Sequence, residues 1–337
     1  MGRHTEQVEH FEHKEPIEQI EIFESRNMVF QDKTKDAKTL MKVPYYKIKE
    51  FAQPYCKNTE DGSIDYNQLQ FKDVLSRYYQ DKNLRLQILH LLEEIEVAIK
   101  TQAAYALSRN RLGGYSYLEF NLWCDREEYC RHYLNLKENE LKRNIRKAIR
   151  RSSNKKEIEE KRRKDKFQFP PVWLSVNLLT FGEIVNLIEL MASKHKKFLA
   201  SYYNCTAPEM ISWLKCLNYV RNICAHNSNF IDLKLITKPL IQEEWMENLY
   251  KIENNNSIIY TDRIALPMFV IRKMIFAVNP FYRFEAIDNS LKKLIVDDET
   301  AQFYGYADYQ KFKSTLGKVN KNKRKRRDKK RNHKKTF

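Results

Sequence analysis

Hydrophobic residues recur every three or four positions along much of the chain, which is the spacing of a helix with one buried face. The clearest stripe runs from Leu84 to Ala103 and predicts a helix over about 81–108 that ends before the glycine pair at 113–114. β-Branched stretches that favour a strand are short, as at 257–260, so we predict an all-α fold. Similar stripes predict two further helices, at 210–224 and 264–278.

A proline pair and a capping signal mark two more helices. Prolines at 170–171 suit a first helical turn, and the helix continues through Trp173. The segment Thr180–Glu183 has the spacing of a capping box, which predicts a new or kinked helix that ends near Met191. Trp173 and Phe181 lie on the apolar stripes of these helices, so we expect both rings in the core.

Composition excludes several classes of protein. Glycine and proline together number only 16 of 337 residues, which disfavours a β-sandwich, a barrel or a glycine-loop nucleotide fold. No apolar run approaches the roughly 20 residues of a membrane helix, and the first 25 residues carry seven glutamates in place of a signal sequence. We therefore expect a soluble, cytoplasmic protein that binds no membrane. The six cysteines form no C-x-x-C pair, so we predict neither a metal site nor a disulfide framework, and no cofactor.

The net charge of +17 is concentrated in two segments. Residues 142–166 hold 13 Lys or Arg and four Asp or Glu, and residues 318–337 hold 12 Lys or Arg and one Asp. The other 292 residues carry a net charge of −3, so we expect a polyanion such as a nucleic acid to be bound by these segments rather than by the body of the protein. The predicted RNA contacts are Lys142, Arg143, Arg146, Lys147, Arg150, Arg151, Arg162, Arg163, Lys323, Arg324, Lys325, Arg326 and Arg327.

The two charged segments differ in expected structure. Leu141, Ile145 and Ile149 recur at helical spacing among the charges of the first, so we expect a solvated helical arm at 137–166. The alternative to nucleic-acid contact is a surface helix that joins two core helices. The second segment has almost no apolar content and is predicted to be a disordered basic tail. The predicted domains are an N-terminal helical extension at 1–80, a helical domain at 81–317 that carries the arm, and the tail at 318–337.

One arginine–histidine pair has a context that suits chemistry on RNA. An imidazole can move the proton of a 2′-hydroxyl or of a leaving oxygen, while a guanidinium stabilises charge on phosphorus without a metal. Six such pairs with four to six intervening residues occur in the chain. Five of them lie in the tails, on the long helix or beside acidic residues. Only Arg221 and His226 combine a predicted rigid helix with flanking amides, Asn222 and Asn227.

Helix geometry sets a condition on this pair. Five residues at about 100° each place Arg221 and His226 about 140° apart on an ideal helix, so their side chains do not share a face. Either the helix bends near Ala225, or two protomers bring their motifs together across a two-fold axis. The alternative without chemistry is a helix end at which His226 and Asn227 are caps.

Several blocks of the sequence resemble one family. The segment Arg221–Asn227 is similar to the R-N-x-x-A-H signature of the HEPN RNases. Further blocks in the same order resemble the Abi-like proteins of the AbiD/AbiF abortive-infection group, at 18–26, 45–55, 71–100, 171–182 and 303–309. The resemblance covers about residues 15–310.

This resemblance implies a HEPN-type helical bundle, a second copy of the chain as partner, and metal-independent endoribonuclease activity used against phage. It implies that Arg221 binds and stabilises the scissile phosphate, that His226 is the acid or base, and that Asn222 orients the pair. Members of the AbiF branch are associated with a structured noncoding RNA, which we expect as a partner. The alternative function is a non-catalytic binding module for such an RNA, in which His226 is structural.

Overall fold

Helices form most of the secondary structure, and the prediction of an all-α fold is confirmed. The computed structural model describes residues 13–59, 62–152, 156, 158, 160, 168–254 and 257–317. The described α-helices are α1 (Pro16–Glu24), α2 (Lys33–Leu40), α3 (Tyr45–Ala52), α4 (Phe71–Ser108), α5 (Arg131–Arg151), α6 (Val172–Leu178), α7 (Phe181–Glu189), α8 (Ser193–Ser201), α9 (Ala207–Ala225), α10 (Glu243–Met246), α11 (Ala265–Val278), α12 (Glu285–Leu294), α13 (Asp298–Phe303) and α14 (Tyr309–Thr315). Short 3₁₀ helices lie at Gln53–Tyr55, Gly113–Leu118 and Phe120–Leu122.

Two short antiparallel hairpins complete the described secondary structure. Strand β1 (Lys57–Asn58) pairs with β2 (Ile64–Asp65), and β3 (Lys251–Asn254) pairs with β4 (Ser257–Tyr260). The second hairpin contains the stretch at 257–260 whose β-branched residues favour a strand. Each sheet has two strands, so neither forms a core of its own.

The chain divides into two compact units between Asn83 and Leu84. The first unit packs an aromatic core around Phe23 of α1, whose ring centroid lies 4.4 Å from that of Tyr45 and 5.5 Å from that of Tyr66. Helices α1 and α2 pack on each other in this unit. The predicted boundary of the extension, at residue 80, stays a prediction.

The long helix α4 begins ten residues before the predicted start, at Phe71. Its buried face includes Phe71, Val74 and Tyr78, which keep the same three-to-four-residue spacing. The stripe then passes through Asp81, which is fully buried although it is charged. Apolar spacing alone therefore stopped short of the true start, because a buried carboxylate interrupts it.

In the second unit, α7, α8 and α11 all pack on α9. Helix α9 begins with a capping box in which Thr206 and Glu209 satisfy each other's backbone N–H groups, and Pro208 lies in its first turn. Its buried face is formed by Met210, Trp213, Leu214, Cys216, Leu217, Val220 and Cys224. The predicted helix at 210–224 is confirmed with three extra residues at its start and one at its end.

The predicted helices after the proline pair are also confirmed. The capping box at the start of α7 is present, since Glu183 Oε2 accepts from the Thr180 N–H at 2.7 Å. Phe181 is buried as expected, but the expectation for Trp173 is wrong, because its side chain is 54% exposed. Edge atoms of the indole lie 2.7 Å from where a Cβ on Gly114 would stand, so this glycine lets the ring lie against the backbone at the surface.

The predicted charged arm is a helix, α5, through Arg151. Leu134, Leu141, Ile145 and Ile149 are buried along one face, and α5 packs on α6. The arm is therefore attached to the second unit along one face rather than solvated on all sides. Positions 153–155, 157, 159 and 161–166 of the arm, and the predicted tail at 318–337, lie outside the described residues.

Candidate active site at the end of helix α9

The arginine–histidine motif occupies the last turn of α9, and its side chains are accessible. Arg221 is half-buried, while Asn222 and His226 are exposed. The buried neighbours Val220 and Cys224 fix this turn to the core, so the helix turns the motif side chains towards solvent. Cys224 is buried, so its thiol packs against the core.

Helix α9 ends at the motif in a Schellman arrangement. His226 is the C-cap residue, and its N–H donates to the Asn222 carbonyl at 2.9 Å. Asn227 follows in the left-handed region with φ of +57°, and the Ser228 N–H donates to the Ile223 carbonyl at 3.1 Å. His226 and Asn227 therefore do cap the helix, as in the alternative without chemistry. The His226 side chain nevertheless remains exposed at that end.

A buried arginine from α4 braces this helix end. Arg85 is only 4% exposed. Its Nη2 donates to Asn227 Oδ1 at 2.7 Å, and its Nη1 donates to the Cys224 carbonyl at 3.3 Å. A charged donor shortens and strengthens such bonds, so the guanidinium fixes both the last turn and the residue that follows His226. Asn227, one of the two amides that flank the motif pair, thus uses its amide oxygen to bind Arg85.

Sequence reasoning missed the role of Arg85. The chain separates it from Asn227 by 142 positions, so no local spacing connects the two. The available signal was an arginine between Leu84 and Ile88, on the buried stripe of α4. A charge at such a position is rarely buried unless it has partners, which indicates a tertiary contact but does not identify it.

Within the motif, the structure brings Arg221 to Asn222. The Arg221 Nη1 donates to Asn222 Oδ1 at 3.4 Å, and the other N–H groups of this guanidinium form no hydrogen bond with described residues. Among the described residues no hydrogen bond or ion pair connects Arg221 with His226. This agrees with the angular separation expected on a helix, and α9 continues as a helix to Ala225.

A glycine allows close packing of α7 against α9 one turn before the motif. A Cβ on Gly182 would stand 3.2 Å from Asn218 Oδ1 and 3.3 Å from its Nδ2. The helices therefore approach each other closely at this point, which positions the motif turn relative to α7. The block at 171–182 that resembles the Abi-like family therefore ends at a glycine with a packing role.

The predicted RNA-binding residues of α5 lie on its open face. Arg143, Arg146, Lys147, Arg150 and Arg151 are exposed, and the Arg146 guanidinium carbon lies 4.8 Å from the centroid of the Phe169 ring. Lys142 is half-buried, and its Nζ donates to Glu138 Oε1 at 2.5 Å. The remaining predicted contacts lie outside the described residues, namely Arg162, Arg163, Lys323, Arg324, Lys325, Arg326 and Arg327.

Other classes of site are limited by what the described residues contain. No group of three His, Cys, Asp or Glu side chains in the described part of the chain is placed to hold a metal ion. All six cysteines are free thiols, and burial raises the pKa of Cys216 to about 12. No helix within the described ranges has both the length and the apolar character needed to cross a membrane.

Comparison with known proteins gives one family. The sequence model described as Abi-like protein matches residues 38–232, which is more than half of the chain and includes α9 with the whole motif. No match was found among curated proteins or among solved structures. The matched region contains both Arg85 and the helix end that it braces. The chain therefore belongs to the family of Abi-like proteins.

Proposed function

We propose that this protein is an RNA-binding endoribonuclease of HEPN type that serves bacterial abortive infection against phage. The observation that carries the proposal is the presence of Arg221, Asn222 and His226 at one accessible helix end that a buried arginine braces. Such support keeps reactive groups near a fixed position, which catalysis requires. Membership of the Abi-like family supports the role in defence.

The proposed reaction needs no metal. His226 takes the proton of a 2′-hydroxyl, the 2′-oxygen attacks phosphorus, and the bond from phosphorus to the 5′-oxygen breaks as that oxygen takes a proton from an imidazolium. The products are a 2′,3′-cyclic phosphate and a strand with a 5′-hydroxyl. Arg221 stabilises the charge that builds on the phosphoryl oxygens, and Asn222 orients its guanidinium through the bond to Nη1.

A homodimer completes the proposed site. Within one chain, Arg221 and His226 project in different directions, and no hydrogen bond joins them among the described residues. A two-fold axis beside the ends of two α9 helices would place the arginine of one copy near the histidine of the other. A structured noncoding RNA is the proposed further partner, bound at the exposed cations of α5.

The test is cleavage of labelled RNA in EDTA by the wild type, Arg221→Ala and His226→Ala. We expect the wild type alone to release fragments with 2′,3′-cyclic phosphate ends, and each variant to lose at least a hundredfold in rate. The matched controls are Arg126→Ala and His132→Ala, because this exposed pair has nearly the same spacing outside α9. RNA that stays intact with the wild type, alone and after phage infection, would contradict the proposal.

The second candidate is a non-catalytic module that binds a structured noncoding RNA. The row of exposed cations on α5 favours it, because phosphate contacts give affinity without any catalytic group. It predicts that one RNA species co-purifies with the protein and remains intact with both the wild type and His226→Ala. Cleavage by the wild type that His226→Ala abolishes would reject it.

A further inference from the structure

A cavity of about 330 Å³ lies between α4 and α6, and neither its walls nor its floor contain a residue of the proposed active site. Tyr105 and Trp173 line it with their rings, and Ala104 and Val176 contribute its apolar floor. Its volume falls at the lower end of the range of small-ligand pockets. The cavity therefore has room for one small ring system.

The two aromatic rings of the cavity are unusually open. Tyr105 is 60% exposed and Trp173 is 54% exposed, whereas the other three tryptophans of the chain are buried. The edge of the Trp173 indole lies against Gly114, and over half of the residue stays exposed. Aromatic rings held in this way are stacking surfaces for flat apolar groups.

The polar groups of the cavity are mostly acceptors, since their donors are already used. Thr101 Oγ1 donates to the Val97 carbonyl at 2.9 Å, and Ser108 Oγ donates to the Tyr105 carbonyl at 3.2 Å. Asn177 Nδ2 donates to the Trp173 carbonyl at 3.1 Å. Asn177 therefore presents its Oδ1 and one remaining N–H, while the hydroxyl oxygens of Thr101 and Ser108 are open to donors.

These features select a neutral ring that carries an amine. The described residues that line the cavity carry no charge. An ammonium or guanidinium ligand would therefore lose its hydration on entering and would find no anionic side chain in return. An asparagine amide with one acceptor and one donor is complementary to the N6 amine and N7 of adenine. Stacking on Tyr105 and Trp173 would supply the affinity, and Asn177 the choice of base.

We propose that this cavity binds an adenine base of single-stranded RNA. The inference rests on the proposed function in one respect, namely that RNA is the partner of the chain. It adds a base-recognition site on α4 and α6 to the phosphate contacts expected on α5. Adenine in an unpaired segment of the RNA would then fix where the strand lies on the protein.

The test uses Trp173 as its own reporter, because it is the exposed tryptophan among four. In a His226→Ala background, which removes the proposed cleavage, tryptophan fluorescence is titrated with oligoriboadenylate, oligoribocytidylate and oligoribouridylate of equal length. We expect saturable quenching, tightest for the adenylate, and no quenching in Trp173→Phe. Quenching by an arginine-rich peptide but by none of the oligonucleotides would overturn the proposal.

Affinity is measured separately, by anisotropy of the labelled adenylate. We expect Trp173→Ala and Tyr105→Ala each to weaken binding roughly tenfold, and Asn177→Leu to reduce the preference for adenine over uracil. Gly114→Ala tests whether the position of the Trp173 indole matters for binding, because the added Cβ forces the ring to move. The control is Tyr202→Ala, an exposed tyrosine directly after α8 and outside the cavity.

The outcomes separate this inference from the proposed function. Unchanged adenylate binding in Trp173→Ala and Tyr105→Ala, with cleavage intact in the wild-type background, would reject the base site and leave the nuclease standing. Adenine-selective quenching by a protein that cleaves no RNA would support the base site and reject the nuclease.

Discussion

At the scale of single residues, the contact between Arg85 and Asn227 does most to define the candidate site. Asn227 has a φ of +57°, a conformation that asparagine tolerates better than most residues, and its amide oxygen receives a buried guanidinium at 2.7 Å. Asn227 thus has two roles: its backbone adopts the left-handed conformation that ends the helix, and its side chain accepts a hydrogen bond from Arg85. His226 lies between this anchor and the last turn of α9.

Replacement of Asn227 separates these two roles. We expect Asn227→Ala to lower the free energy of unfolding by about 1–3 kcal/mol, since it leaves a buried donor of Arg85 without this acceptor and places alanine at positive φ. Asn227→Gly keeps the backbone freedom and loses only the contact, so its loss should be smaller. Urea unfolding measures the free energy of unfolding of both variants. Equal losses would show that the left-handed backbone conformation of residue 227 costs alanine nothing.

Arg85→Lys tests whether the brace matters for activity. Lysine keeps the charge but lacks the fork that reaches Asn227 and the Cys224 carbonyl together. We expect RNA cleavage to fall at least tenfold through kcat, with a smaller change in KM, because the cations that we propose to bind RNA are unchanged. Lys82→Arg on the exposed face of α4 is the control. Full activity in a folded Arg85→Lys protein would show that the contact is structural alone.

Residue-scale prediction from sequence succeeded where the neighbours are local and was wrong where they are distant. The accessible Arg221 and His226 at a helix end follow from spacing and flanking residues. The exposure of Trp173 does not, because it depends on Gly114, which lies 59 positions earlier and removes the side chain that would occupy that space. Apolar periodicity identifies a face of a helix but not what covers that face.

At the scale of elements, the close approach of α7 and α9 at Gly182 positions the motif turn. We expect Gly182→Val to lower the free energy of unfolding by about 1–3 kcal/mol, because a branched side chain must displace the Asn218 amide. Gly182→Ala is the graded control, since the amide has to move by only a few tenths of an ångström. Thermal unfolding in parallel with RNA cleavage would show whether the motif turn is disturbed as well. Similar stability of both variants would mean that the helices separate without cost.

The capping box of α9 gives the element an acid-sensitive start. Burial would raise the pKa of Glu209, but hydrogen bonds from the Thr206 N–H and hydroxyl and the nearby Lys273 charge hold it below its usual value. The folded state therefore favours the carboxylate, and its contribution to stability is complete above the usual pKa of glutamate and is lost as pH falls through the lowered one. We expect the stability gap between the wild type and Glu209→Gln to be constant near neutral pH and to close as the pH falls below the usual pKa of glutamate. A gap that does not change with pH would contradict this.

Element boundaries were predictable where a capping signal marks them. The capping box predicted at Thr180 opens α7 in the structure. A second box, at Thr206, was not used in the prediction and opens α9 three residues before its predicted start. The start of α4 at Phe71 was not predictable in this way, because no comparable capping signal precedes it. A buried acidic residue, Asp81, also breaks the apolar stripe. Tertiary burial of a charge overrides the local pattern there.

At the scale of the whole molecule, the cations predicted to bind RNA and the residues proposed to cleave it belong to different elements. The predicted cations lie on α5 and outside the described residues, whereas the motif lies on α9. We expect a variant with Arg143, Lys147 and Arg150 changed to alanine to bind RNA with a salt slope smaller by about two to three, for three lost phosphate contacts. The control changes three exposed lysines elsewhere, Lys38, Lys292 and Lys293. Equal slopes in both variants would place the phosphates elsewhere.

Assembly is tested by mixing two inactive variants. If Arg221 of one copy works with His226 of the other, a dimer of Arg221→Ala with His226→Ala contains one site that has both native residues. Random exchange of subunits should then restore about a quarter of the wild-type rate. Each variant alone is the control. No recovery after verified exchange would show that every site uses its arginine and histidine from a single chain.

The contact that braces the candidate site also sets when the site can exist during synthesis. Arg85 leaves the ribosome 142 residues before its partner Asn227. At about 5–20 residues per second, the interval is roughly 7 to 28 s, during which Asn227 is not yet available to Arg85. A ribosome that stops within this interval releases a chain without the helix end that bears His226. A host that makes this protein is therefore exposed to the candidate site only after translation has passed Asn227.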